Sequence, residues 1–182
     1  SIIARSHLDK AITPAQYQSA GEYLSQVNSL LKDTLSKTDQ KNTNEEGFDG
    51  GVCIYYRNSR KLEFAGAKAS IFQVQTDGAT ETVGDRKSVG STRMKEGFEF
   101  STHEISDPSG SFVMLTDGIT DVMSPEERPI AFGRRRVLKL LQQATDRSPR
   151  YIVEKIMNSV DLYRGGAPFR DDLTLLAFSF NE

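Results

Sequence analysis

The chain has 182 residues, 37% of them apolar, and its 23 Lys and Arg against 25 Asp and Glu give a formal net charge of −2. This length and composition predict a single globular domain over residues 1–182 and disfavour a nucleic-acid-binding protein, which is usually strongly basic. The apolar runs are too short to cross a membrane, no signal peptide opens the sequence, and the single Cys53 excludes an internal disulfide, so we expect a cytoplasmic domain without membrane contact.

The first predicted element is an amphipathic helix. After Pro14, apolar residues recur at steps of three and four as far as Leu35, and Thr13-Pro14 is a suitable helix start. The polar, aperiodic stretch 36–47 that follows predicts an exposed loop. A helix packed by one face is therefore expected before the strands begin.

Two antiparallel hairpins are predicted next, because the period changes to two. Each consists of two β-rich runs around a short polar turn. The runs and turns are 51–57 and 61–67 around 58–60, and 70–75 and 80–83 around Thr76-Asp77-Gly78. Asp77-Gly78 is interpreted as a turn and not as part of a site.

The second half of the chain combines strands and helices. Alternation predicts a strand over 98–105, and the apolar run 112–115 predicts a buried central strand. Two helices should follow, one with an apolar face of Val137, Leu138, Leu141 and Ala144 and one capped by Ser148-Pro149, before a final strand over 173–180. Hairpin-joined strands between helices favour an α+β fold with antiparallel sheets.

Carboxylates stand at the ends of two strongly apolar strands. Asp117 follows the run 112–115, and Asp171-Asp172 precedes the last strand. Hard divalent ions take oxygen ligands of this type, so an acidic metal site is one interpretation. The alternative is that Asp117-Gly118 is an ordinary turn and that the Asp pair is a solvated strand edge.

An ordered set of motifs bears on this choice. The set is Leu62-Glu-Phe-Ala-Gly-Ala67, Gly84-Asp-Arg-Lys-Ser-Val-Gly90, Phe112-Val-Met-Leu-Thr-Asp-Gly-Ile-Thr-Asp121, Phe132-Gly133 and Arg170-Asp-Asp-Leu-Thr-Leu-Leu176. From about Phe48 to its end the chain resembles the metal-dependent serine/threonine phosphatases of the protein phosphatase 2C superfamily, in particular their bacterial SpoIIE-like branch. The resemblance implies an α-β-β-α sandwich, in which two antiparallel sheets are flanked by helices.

The resemblance also implies a site. Asp117 and Asp171 match two aspartates that bind metal in the family, where the complete domain holds two Mn²⁺ or Mg²⁺ ions and needs no catalytic side chain beyond the metal ligands. Asp172, Gly118 and Asp121 are expected beside these ligands without binding the metal directly. Asp121 is equally compatible with a cap of the turn at Ser124-Pro125.

The chain departs from the family pattern near its start. The family carries two further metal-binding aspartates before its first long helix, and neither motif is found here. Residues 1–9 resemble part of the helix that follows those motifs, so we expect the C-terminal portion of an N-terminally incomplete domain, inactive alone. Missing strands would leave unpaired sheet edges, which favours a homodimer.

The expected function is that of a bacterial signalling phosphatase. The resemblance implies a phosphoserine or phosphothreonine protein as substrate, for example an anti-sigma factor antagonist, and a parent protein that can be tethered to a membrane. The alternative is a catalytically degenerate phosphatase-like module that binds protein partners.

The remaining polar residues have simpler interpretations. Asp49-Gly50 is predicted to be a turn and Cys53 a packed thiol. Arg134-Arg135-Arg136 with Lys139 is interpreted as the solvated face of a helix, with docking of an acidic phosphoprotein as the alternative. His7 and His103 are far apart and receive no catalytic role.

Overall fold

The structure is a computed structural model that describes residues 18–38, 47–91, 94–95 and 97–180. Its elements in chain order are α1 (Ala20–Thr38), β1 (Gly50–Tyr56), β2 (Lys61–Ala67), β3 (Ser70–Gln75), β4 (Gly78–Val83), β5 (His103–Ser106), β6 (Ser111–Leu115), α2 (Asp117–Thr120), α3 (Gly133–Gln142), α4 (Pro149–Arg164) and β7 (Leu175–Ser179). Contacts divide the chain into two compact units, Ser1–Ala69 with Val83–Pro108 and Ser70–Thr82 with Ser109–Glu182. No helix in the described ranges is long and apolar enough to cross a membrane.

The first unit packs α1 on a three-stranded antiparallel sheet of order β1-β2-β5. The register places Gly50 opposite Ala67 and Tyr56 opposite Lys61, as a short hairpin requires. Apolar residues at helical spacing on α1 are buried and form one core with residues of the sheet and of the loop before β5. This core contains Ala20, Leu24, Val27, Leu31, Ala65, Ala67, Val89, Met94 and Phe100.

A buried carboxylate fixes the start of α1. Glu63 on β2 is only 4% exposed, and its Oε2 accepts hydrogen bonds from the Ala20 N–H at 2.9 Å and from the Tyr56 hydroxyl at 3.2 Å. Its Oε1 lies 2.9 Å from Nζ of Lys61. Burial raises the pKa of this carboxyl, but the hydrogen bonds from Lys61 and Ala20 outweigh burial and hold the pKa below its ordinary value.

The second unit contains a four-stranded antiparallel sheet of order β4-β3-β6-β7. Helix α3 packs on β3, and α4 packs on β6 and β7. Ser148 caps α4 by accepting a hydrogen bond from the Tyr151 N–H at 3.3 Å, and Gly165 ends the helix with φ +56°. The core beneath these helices includes Phe72, Val74, Val113, Ile119, Val137, Leu141, Ile152, Ile156 and Val160.

The predicted α+β fold with two antiparallel sheets and flanking helices is confirmed, as are both hairpins and the Ser148-Pro149 helix start. The strand predicted over 98–105 is wrong for its first half, since β5 comprises only His103–Ser106. Phe100 is buried in the first core instead, and its N–H donates to Oγ of Ser25 on α1 at 2.8 Å, so its backbone bonds to a helix and not to a strand.

Element ends also differ from expectation. Helix α1 continues to Thr38, into the predicted loop, and β7 begins at Leu175. The predicted helix start at Thr13-Pro14 and the predicted helix over 1–9 lie outside the described residues.

Candidate metal centre

Strands β6 and β7 bring the two acidic segments to one edge of the second sheet. Leu115 lies opposite Leu175 at the end of the paired strands. Beyond this pair, the Thr116 N–H donates to the Thr174 carbonyl at 3.0 Å, and the Thr174 N–H donates to Oγ1 of Thr116 at 3.0 Å. A side-chain oxygen thus continues the hydrogen bonding of the strands up to the acidic residues.

Gly118 lets the turn at Asp117 approach the opposite segment closely. A Cβ at Gly118 would collide with the backbone carbonyl of Asp172 and come within 3.3 Å of the Leu173 side chain. Oγ1 of Thr116 lies 3.4 Å from the same carbonyl of Asp172. Glycine is therefore required at position 118 by a close backbone approach.

Asp117 opens the one-turn helix α2, which follows Thr116 in extended conformation. The carbonyl of Asp117 accepts hydrogen bonds from the Asp121 N–H at 2.7 Å and from Oγ1 of Thr120 at 3.1 Å, while Ile119 is fully buried beneath the turn. The backbone is fixed in this way, and the exposed carboxylate of Asp117 makes no hydrogen bond or ion pair within the described residues.

Asp171 and Asp172 are both exposed and line an open surface depression together with Phe169, Arg170 and Leu173. Oδ1 of Asp171 accepts a hydrogen bond from the Asp172 N–H at 2.7 Å, which orients its carboxylate. Asp121 is also exposed, and its Oδ1 lies 3.4 Å from Oγ1 of Thr120. Asp121 is therefore hydrogen-bonded within the Asp117 turn.

The donor set at this edge suits a hard cation. Carboxylate oxygens are the ligands that Mg²⁺ and Mn²⁺ prefer, and Mg²⁺ is commonly held by one or two protein carboxylates, with water and substrate phosphate as the other ligands. Among the described residues, no group of three or more His, Cys, Asp or Glu side chains is arranged to hold a metal ion.

Other candidates from the sequence have structural partners. Oδ2 of Asp49 lies 3.8 Å from Nζ of Lys68, in the loop before β1. Burial raises the pKa of the Cys53 thiol to about 12, which agrees with a packed and unreactive residue. His103 lies at the start of β5 with its ring 6.2 Å from that of Phe64, whereas His7 is outside the described residues.

The basic residues of α3 divide into two kinds. Arg134 lies 3.3 Å from Oε1 of Glu81, and Arg136 donates to the Phe132 carbonyl at 2.9 Å and covers the Tyr163 ring. Arg135 and Lys139 are exposed to solvent. This arrangement matches the interpretation of α3 as a helix with a solvated basic face.

Thr116 and Thr174 contribute to the site without having been identified from the sequence. Each lies within three residues of a predicted metal ligand, at the end of a strand. Each motif contains a Thr near its Asp, and this shared feature could have identified Thr116 and Thr174. A Thr can form hydrogen bonds with both its backbone and its hydroxyl where two strands end side by side.

Comparison with known proteins adds a family match. The family model described as Stage II sporulation protein E (SpoIIE) matches residues 3–181 of this chain. A search of curated proteins found no match.

Several solved structures are similar. The SiaA-PP2C domain of Pseudomonas aeruginosa is 26% identical, with a TM-score of 0.80 over 99% of this chain and 68% of that chain. The Mn-presoaked phosphatase domain of SpoIIE from Bacillus subtilis is 14% identical, with a TM-score of 0.60 over 100% of this chain and 74% of that one. The RsbU and RsbW domains of a Mycobacterium tuberculosis protein are 20% identical, with a TM-score of 0.66 over 96% of this chain and 45% of that one. The last two likenesses establish the fold alone.

Proposed function

The chain belongs to the SpoIIE family of PP2C-type phosphatases, and on this premise we propose that it is a metal-dependent phosphatase domain acting on phosphoserine or phosphothreonine in a protein. The observation that carries the proposal is the junction of the two acidic segments. Thr116 and Gly118 hold the Asp117 turn directly against Asp172, next to Asp171. The two aspartates that match the C-terminal part of the family pattern are therefore present at one edge of one sheet.

In this proposal Asp117 and Asp171 bind Mn²⁺ or Mg²⁺, and the B. subtilis SpoIIE structure prepared with Mn supports this choice of ions. When bound, such an ion acts as a Lewis acid toward phosphoryl oxygens. The protein's part is to fix the carboxylates. Thr116 and Gly118 set the position of the Asp117 backbone, and the Asp172 N–H orients the Asp171 carboxylate.

Charge balance supports one ion in this chain. The two carboxylates neutralise one divalent cation, whereas a pair of ions about 3.5–4 Å apart needs further negative ligands. We therefore propose that the complete two-metal centre needs carboxylates beyond Asp117 and Asp171, and that this chain alone is inactive.

The proposed setting is bacterial signal transduction in the cytoplasm. Family membership supports a phosphorylated regulatory protein as substrate, for example an anti-sigma factor antagonist, and the similar M. tuberculosis structure contains an RsbW domain beside its RsbU domain. A homodimer is proposed as well, because β7 is an edge strand among the described strands and its Leu176 is 53% exposed. The mass of the chain in solution tests this point, and a monomer at every concentration would contradict it.

Metal binding is the first test of the site. Electron paramagnetic resonance of Mn²⁺ should show one bound ion per chain, with affinity reduced at least about tenfold in both Asp117→Asn and Asp171→Asn, since each loses one charged ligand. Asp77→Asn removes an equal charge from an exposed hairpin turn and should leave the affinity unchanged. Equal affinities for the variants at 117 and 77 would refute the assigned ligands.

Hydrolysis of p-nitrophenyl phosphate tests the enzyme. We expect no Mn²⁺-dependent activity from the 182-residue chain, and activity from a version extended upstream that is lost with Asp117→Asn. Phosphoserine and phosphothreonine peptides should then be hydrolysed in preference to phosphotyrosine peptides. Asp117-dependent activity in the 182-residue chain itself would show that the ligand set is complete without an extension.

A protein-binding module without catalysis is the second candidate. It is favoured by the lack of a third ligand in the part of the chain that the structure describes. This candidate predicts that an extended chain stays inactive with Mn²⁺ and that a bound partner is retained after Asp117→Asn.

A further inference from the structure

Arg170 directly precedes the acidic pair and is the only cationic residue among the five that line the depression beside it. Its side chain is exposed and makes no hydrogen bond or ion pair with any other residue of the described ranges. An arginine next to two carboxylates would ordinarily pair with one of them. Here Oδ1 of Asp171 accepts from the Asp172 N–H instead, so the guanidinium donors remain available.

The segment that presents Arg170 is fixed by a second arginine. Nη1 of Arg164 donates to the Ala167 carbonyl at 2.7 Å, and its guanidinium lies 4.5 Å from the centre of the Phe169 ring. Nε of Arg164 is in turn held by Asp161 at 2.7 Å. These contacts order the chain just before Arg170, which reduces the entropy lost when its side chain binds a ligand.

A bound phosphate monoester would need a further positive charge at this edge of the sheet. Asp117 and Asp171 neutralise one divalent ion, so nothing is left to balance a phosphate monoester dianion, and Asp172 adds a further negative charge. A guanidinium supplies a positive charge and two parallel N–H donors that match two phosphoryl oxygens. Arg170 is the residue of the depression that can meet this need.

We propose that Arg170 binds the phosphate monoester of the substrate beside the metal-binding carboxylates, and that the stacking of Arg164 on Phe169 positions it. The proposal rests on the proposed function, because it takes the phosphate monoester as the ligand. It adds to that function a protein side chain that contacts the substrate's phosphate.

Inorganic phosphate is the probe, titrated into the 182-residue chain with saturating Mg²⁺ and followed through the backbone amide NMR signals of residues 170–174. Arg170→Ala should weaken phosphate binding by about tenfold or more, as expected for the loss of charge-assisted bonds. Arg170→Lys should recover part of the affinity, because it restores the charge but not the paired donors. Arg135→Ala, an exposed arginine on α3, is the control of equal charge and should change the affinity less than twofold.

Mn²⁺ affinity, measured without phosphate, separates the two proposals. Arg170→Ala should keep this affinity or increase it, because a positive charge beside the carboxylates is removed. A phosphate affinity that is unchanged in Arg170→Ala, or reduced equally in Arg135→Ala, would overturn the role of Arg170 while leaving the metal ligands in place. No phosphate binding to the unmodified chain would overturn it too. A Mn²⁺ affinity that is the same in Asp117→Asn as in the unmodified chain would instead count against the proposed function.

Discussion

Replacing the buried Glu63 by Gln is expected to lower the free energy of unfolding by about 2 kcal/mol. The Gln carbonyl can take the place of Oε2 and keep the bonds from the Ala20 N–H and the Tyr56 hydroxyl. Its amide then faces Nζ of Lys61, where a carboxylate oxygen stood at 2.9 Å. The variant loses this hydrogen bond to a charged group, which contributes about 1.5–3 kcal/mol. The loss should not exceed this range, because Lys61 can still pair with Glu104 at 3.4 Å.

Thermal and urea unfolding followed by circular dichroism measure this change. For a chain of this size, about 2 kcal/mol corresponds to a fall in Tm of roughly 4–8 °C. Glu104→Gln is the matched control, because Glu104 lies opposite Glu63 in the sheet and also contacts Lys61, but its side chain is 54% exposed. Glu104→Gln should lower the free energy of unfolding by less than about 0.5 kcal/mol.

The pH dependence gives an independent check. Because the folded pKa of Glu63 is lowered, its stabilisation is fully present above the unfolded pKa of about 4.3 and is lost as the pH falls through the folded value. The difference between the unmodified chain and Glu63→Gln should therefore be largest near neutral pH and shrink in acid. Equal effects of the two Gln variants, or a difference that grows in acid, would refute the anchoring role assigned to Glu63.

Three further outcomes are expected. Gly118→Ala should destabilise the chain by about 1–3 kcal/mol in urea unfolding and weaken Mn²⁺ binding, because its Cβ would displace the Asp172 carbonyl; unchanged values would contradict the close approach. Cys53, with its pKa raised to about 12, should react with a thiol reagent at pH 8 more slowly in the folded chain than in the urea-unfolded chain, and equal rates would contradict the raised pKa. Ser148→Ala should cost about 1 kcal/mol by removing the cap of α4, measured by the same unfolding assay.

Local patterns in the sequence were sufficient for much of the fold. The hairpin β1–β2 and the start of α4 follow from alternation, turn residues and a Ser-Pro cap, which act over a few neighbouring residues. Phe100 shows the limit of such reasoning. Its alternation with Phe98 resembles a strand, but Phe100 is buried in the core beneath α1, where it bonds to Ser25 and packs with residues far away in the chain.

The two candidate ligands could be named from the sequence, but the contacts that bring their segments together could not. Asp117 and Asp171 come from short motifs at strand ends, which a sequence displays directly. The hydrogen bond between the Thr116 hydroxyl and Thr174 depends on the register of two strands separated by three helices, which spacing alone does not give. The buried position of Glu63 was missed for a similar reason, since a charged residue in a strand is ordinarily expected to face solvent.

Because β6 and β7 are paired in a fixed register, the site should tolerate insertions and deletions at some positions and not at others. Leu175 is paired with Leu115, Thr174 is hydrogen-bonded to Thr116, and the Asp172 carbonyl lies against Gly118. Deleting or inserting one residue between Asp172 and Leu175 would shift the acidic pair by about 3.3 Å relative to Asp117. The loop from Gly165 to Pro168 lies before this pairing, so changes of length within it can be absorbed without moving either aspartate. Natural or engineered variation in loop length is therefore expected at the end of α4, and not between the acidic pair and the last strand.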